Sequence, residues 1–76
     1  MKIKILGPGC IKCGLLEQNV RIAVEELKIK AQIVKVKDIN EIAKHGVVMT
    51  PALVVDGKIK SSGKVIGPQE IKKLLV

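Results

Sequence analysis

The 76-residue sequence contains no phenylalanine, tyrosine or tryptophan. Single-stranded nucleic acid is held largely by stacking bases on aromatic rings, so that mode of recognition is closed to this chain. Carboxylates are scarce: 7 Asp and Glu stand against 14 Lys and Arg, a formal net charge of +7. Excess cation is what phosphate neutralisation requires. Here, however, the lysines fall in pairs two residues apart, at Lys2/Lys4, Lys28/Lys30, Lys35/Lys37 and Lys58/Lys60. That spacing is the solvent side of strands, spread over several elements and not gathered in one stripe. No nucleic-acid partner is expected, and the basic surface serves solubility or acidic protein partners.

Long apolar runs are also missing. The longest, Ala52-Leu53-Val54-Val55, has strand length, far short of the roughly 18 residues that span a bilayer. After Ile5-Leu6 the chain meets Gly7-Pro8-Gly9, which leaves no apolar stretch for a secretory signal. The expectation is a cytoplasmic chain with no membrane partner. In that compartment two cysteines point to redox or metal chemistry before a structural staple. With 47% hydrophobic residues, the chain can fill one small core, so residues 1–76 are read as a single domain. Nothing demands more than a monomer.

The alternation of Lys and Ile over Lys2 to Leu6 predicts a first strand, ended by Gly7-Pro8-Gly9. Leu16, Val20, Ala23, Val24 and Leu27 recur at helical spacing as far as about Lys28, with Glu17, Gln18, Arg21 and Glu25 on the other side. Glu17 and Arg21 stand four apart in the favourable order. Ala31 to Val36 predicts a second strand, and Asp38-Ile39-Asn40-Glu41 a capping box for a short helix closed by Gly46. Ala52 to Val55, Asp56-Gly57 and Lys58 to Lys60 predict a tight hairpin that Ser61-Ser62-Gly63 then ends. Pro68 opens a last helix with Ile71, Leu74 and Leu75 on one face. The order β-α-β-α-β-β-α predicts an α/β fold, a four-stranded mixed sheet with helices on both faces.

Cys10 and Cys13 stand three apart where the first strand meets the first helix. At that spacing two helical residues share a face, with Cα atoms about 5 Å apart, a separation a disulfide accepts. Unpaired N–H groups at a helix start favour thiolate over thiol, and Lys12 adds a cation beside them. Cys10 lies at the turn and Cys13 one turn further in, an asymmetry suited to thiol–disulfide exchange. Two thiolates equally form a soft-metal carrier for Cu(I) or Zn, and that alternative stays open. Such carriers end in a strand and place Met two residues before the first cysteine, where this chain has Pro8 and ends in a helix.

Thr50-Pro51 immediately precedes a strand that should be central, where proline is disfavoured. It either simply opens that strand or forms a cis-proline loop beside the cysteines that leaves Thr50 backbone free for an extended substrate. Cys-x-x-Cys after the first strand, Thr50-Pro51-Ala52-Leu53-Val54, the Asp56-Gly57 hairpin, Ser61-Ser62-Gly63-Lys64 and the final helix occur in that order. Together they resemble the thioredoxin superfamily over about residues 2 to 75, in particular its small thioredoxin- or glutaredoxin-like redox-active disulfide proteins of bacteria and archaea. The resemblance implies a thioredoxin-like fold and a thiol–disulfide oxidoreductase. It implies Cys10 as nucleophile, Cys13 as resolving thiol, a cis Pro51, and Thr50 together with Ile11 and Lys12 contacting substrate. The implied partners are a disulfide-containing protein or small molecule and a reductase not yet identified. No cofactor or metal is implied beyond the redox-active disulfide itself.

The chain also departs from relatives in that superfamily. Gly9 stands where thioredoxins carry Trp, and Ile11-Lys12 replaces Gly-Pro between the cysteines. The first strand holds no carboxylate to exchange a proton with Cys13, and Ser61-Ser62-Gly63-Lys64 lacks the acid of a glutathione-binding turn. His45 reads as a helix-end imidazolium meeting the dipole, Met49 as packing, and Gly7 and Gly9 as turn residues.

Overall fold

A computed structural model describes residues 1–9, 11–47 and 49–76. The elements are β1 (Lys2–Leu6), α1 (Ile11–Leu27), β2 (Gln32–Val36), α2 (Ile39–Lys44), β3 (Ala52–Val55), β4 (Lys58–Ser62) and α3 (Pro68–Leu75). They form one four-stranded sheet in the order β2-β1-β3-β4. β1 pairs parallel with β2, as a helical crossover requires, and antiparallel with β3, which pairs antiparallel with β4. The α/β fold is therefore the one predicted.

Alternation along β1 divides the core. Ile3 and Ile5 face Leu16, Val20 and Ala23 of α1 and Ile71 and Leu75 of α3. Leu6, Ala52 and Val54 face the other way, toward Ile42 of α2 and Val47. β3, covered on both faces, is buried throughout, which explains its unbroken apolar run. Asn19 fastens the α1–α3 layer by donating its Nδ2–H to the Ile66 carbonyl at 3.0 Å.

Asp56 and Gly57 both take positive φ, 49° and 84°, the conformation a two-residue hairpin turn needs. Asp38 caps α2, its Oδ1 accepting from Asn40 N at 2.8 Å and Glu41 N at 3.4 Å. The reciprocal half of a capping box is replaced, because Glu41 turns its carboxylate to Lys44 at 3.2 Å.

β4 does not stop at Lys60 but continues through Ser61 and Ser62. A bulge opposite Leu53/Val54 causes this: Val54 faces Ile59 while Leu53 faces Ser61, so Lys60 is the extra residue. Without the bulge Lys60 would stand opposite Leu53 and point at the core; with it the lysine stays exposed and Ser61 is buried instead. β2 begins at Gln32, one residue later than predicted. No helix among the described residues is long and apolar enough to cross a membrane.

Candidate active site

Cys13 opens the buried stripe of α1 that continues through Leu16, Val20 and Ala23, and it is only 6% exposed. Its sulfur owes its seat to Gly7. A Cβ built on Gly7 would collide with Cys13 Sγ, come within 3.3 Å of Cys13 Cβ, and lie 3.9 Å from Pro51 Cα. Gly7 is buried, and its N–H donates to the Val36 carbonyl at 2.9 Å, which pins the β1–α1 loop to the end of β2. Gly7 is thus more than a turn residue: its missing side chain is the space the thiol occupies. Cys10, the other half of the motif, lies outside the described residues. Ile11, 84% exposed, and Lys12, also exposed, stand on the outer face at the start of α1.

The Thr50–Pro51 peptide is cis, as the resemblance implies. Pro51 is fully buried, and its carbonyl accepts from Gly63 N at 2.9 Å, so the loop is tied to the end of β4. Thr50, half-buried, lines an apolar groove of about 270 Å³ with Pro8, Ile39, Ile42 and Val47. Ile39 is 74% exposed at the lip of this groove. Met49 is not core packing: it is 63% exposed, and its side chain lies over Gly63. Cys13 from one end of the sequence and the proline loop from its middle therefore meet around Gly7.

A smaller cleft, of about 110 Å³, is lined by Cys13, Gly7 and Gly9 together with Glu17, Lys35 and Lys37. Glu17 was placed by periodicity on the outer side of the helix, paired with Arg21. It does bind Arg21, at 2.9 Å, but also Lys35 across the cleft at 3.3 Å, with its side chain only 17% exposed. The hydrogen bond from Arg21 holds the Glu17 carboxyl below its ordinary value, assisted by Lys35 and opposed by burial. The signal that could have found Glu17 is its spacing, four residues after Cys13.

His45 caps the end of α2. Its Nδ1–H donates to the Glu41 carbonyl at 2.8 Å, and its Nε2 lies 3.5 Å from Lys4 Nζ. Both ring nitrogens are thereby engaged away from the cysteine. Among the described residues no group of three or more His, Cys, Asp or Glu gathers.

This strand order, with a buried cysteine opening the first helix beside a cis-proline loop, defines an α/β thiol–disulfide oxidoreductase of thioredoxin-like fold. The family model for the thioredoxin domain matches residues 1–76, and the chain belongs to that family. It is 47% identical over 75 residues to a thioredoxin of Methanothermobacter thermautotrophicus, covering 99% of this chain and 97% of that protein. It is 49% identical over 73 residues to a thioredoxin of Methanocaldococcus jannaschii, covering 96% of this chain and 84% of that one.

Proposed function

We propose that the protein reduces or exchanges disulfides through a reversible Cys10–Cys13 bond, working as a single-domain monomer in the cytoplasm. The observation that carries this reading is the seat of Cys13, a nearly buried thiol held between Gly7 and the Pro51 loop at the start of a helix. In the reductive direction the Cys10 thiolate attacks one sulfur of a substrate disulfide. A mixed disulfide forms, and the other substrate sulfur departs as thiolate and takes up a proton. Cys13 then gives up its proton and attacks the Cys10 sulfur, expelling the second substrate thiolate. Two electrons have passed from dithiol to substrate, and a reductase must return them to the Cys10–Cys13 disulfide. Proximity favours the resolving step, because the second thiol is already in place and needs no further encounter.

Thr50, Pro51, Ile11 and Lys12 are the residues assigned to substrate. The groove beside Thr50 accepts an apolar side chain flanking the substrate cysteine, while Thr50 backbone pairs with the extended segment. The test is the rate at which dithiothreitol reduces a protein disulfide in the presence of each variant. Cys10→Ser abolishes turnover, and Cys13→Ser accumulates a mixed disulfide visible by intact mass. Full exchange by both variants overturns the proposal.

A further inference from the structure

The loop after β1 parts two surfaces of different chemistry. Pro8 lines the apolar groove of about 270 Å³, whereas Gly7 and Gly9 line the smaller cleft with Glu17, Lys35 and Lys37. The three charged residues of that cleft are not equivalent. Glu17 holds Arg21 at 2.9 Å and Lys35 at 3.3 Å, so the Lys35 ammonium is already answered. Among the described residues no carboxylate lies within 4.0 Å of the Lys37 ammonium. Asp38, next in sequence, turns its Oδ1 to the N–H groups of Asn40 and Glu41, and Glu41 gives its own carboxylate to Lys44. Lys37 instead lays its stem along the loop. Its Cδ, Cε and Nζ stand 4.0, 3.9 and 4.0 Å from the point a Gly9 Cβ would occupy. Gly9, at φ 96°, has no side chain to cover that ammonium. The charge therefore rests beside the residue that precedes Cys10 in the sequence. Lys12, exposed on α1, adds positive field from the helix side.

We propose that Lys37 is a specificity residue for exchange, its ammonium receiving a carboxylate that flanks the substrate cysteine in an acidic protein segment. The inference rests on the exchange reading above and names the substrate it favours. That substrate carries an apolar residue on one side of its cysteine, for the groove, and Asp or Glu on the other. The ion pair forms only when substrate arrives, because the neighbouring carboxylates are engaged elsewhere. A cationic flank meets repulsion from the same group, so the lysine rejects as well as selects. Charges placed this way discriminate between partners more than they add affinity. One exposed ammonium–carboxylate pair contributes modestly, about twofold to fivefold in rate.

Cys13→Ser leaves Cys10 as the sole thiol. Its thiolate displaces iodide from iodoacetate, which carries a carboxylate, and from iodoacetamide, which does not. The ratio of the two rates is independent of the thiolate fraction, so a change in Cys10 proton affinity does not move it. Lys37→Gln lowers that ratio about twofold to fivefold, and Lys37→Arg retains it. Lys58→Gln removes the same charge at the hairpin end of β4 and leaves the ratio unchanged. In about 1 M salt, where charges are screened beyond roughly 3 Å, the ratio drops to the Lys37→Gln value. An unmoved ratio, or an equal fall with Lys58→Gln, overturns the inference. The protein with both cysteines is then given a peptide disulfide with leucine and glutamate on either side of the cysteine, in both orders, and its glutamine counterpart. A preference for glutamate that Lys37→Gln abolishes supports the acidic segment. Equal rates with both peptides, beside a falling alkylation ratio, confine the effect to small carboxylates and overturn the proposal. No reduction of any peptide overturns the exchange reading, while the alkylation ratio still decides whether Lys37 selects carboxylates.

Discussion

Gly7→Ala is the most direct perturbation of the cysteine seat. The added methyl would overlap Cys13 Sγ and press its Cβ at 3.3 Å. Cys13 can yield only by rotating about χ1, and within a helix one of the three rotamers is already excluded by the preceding turn. The sulfur must leave its pocket or the β1–α1 loop must move off the Val36 carbonyl that holds it. Overpacking of this kind costs about 1–3 kcal/mol, and in a domain of this size each kcal/mol lowers Tm by roughly 4–8 °C. A double-mutant cycle isolates the cause. In a Cys13→Ala background the sulfur is gone, the nearest remaining atom is the Cβ at 3.3 Å, which has only to give slightly, and the penalty of Gly7→Ala falls below about 1 kcal/mol. Guanidinium unfolding of the four proteins under reducing conditions, where no disulfide contributes, measures all the terms. The same cost for Gly7→Ala with and without the sulfur would refute the seat.

Other expectations follow from the same structure. Ser61 is buried with an Oγ that finds no hydrogen-bond partner among the described residues, so Ser61→Ala should raise stability by about 1 kcal/mol; a loss of that size in the unfolding midpoint would show a hidden partner. Ile39→Asp puts a charge at the lip of the apolar groove and should raise KM for a protein disulfide while sparing a small aromatic disulfide; equal effects on both would remove the groove from substrate binding. The Glu17 carboxyl binds its proton less readily in the fold than its ordinary value of 4.5, so its contribution to stability is present above that pH. It is lost as pH falls through the lower, folded value. Acid unfolding should therefore be shallower in Glu17→Gln than in the natural protein, and identical acid limbs would contradict the ion pairing.

Much of this fold was legible because local and tertiary preferences agree. The Asp56-Gly57 turn, the Asp38 cap, Pro68 at the head of α3 and the apolar run of β3 each stand where the structure puts them. The miss at β4 has a definite cause: the Lys60 bulge breaks the two-residue period, so Ser61 and Ser62 lose their strand signature although they remain in the ladder. The cysteine motif and Thr50-Pro51 could be paired only through the resemblance, since spacing alone does not bring residues some forty apart together. Gly7 was hidden because a glycine after a strand reads first as a turn, and its packing role exists only once the helix has folded back over it. Glu17 was hidden by its neighbour. Arg21 offers a sufficient local partner, whereas Lys35 arrives through the parallel pairing of β2 with β1.

The central claim is a reversible two-electron couple between Cys10 and Cys13, and a redox titration tests it most directly. The metal-free protein is equilibrated in graded thiol–disulfide buffers, quenched, alkylated and weighed intact. The account predicts a single transition from two alkylated thiols to none, within the span of biological thiol couples at roughly −180 to −320 mV, and its loss in either cysteine variant. Thiols that stay reduced at every potential would contradict it.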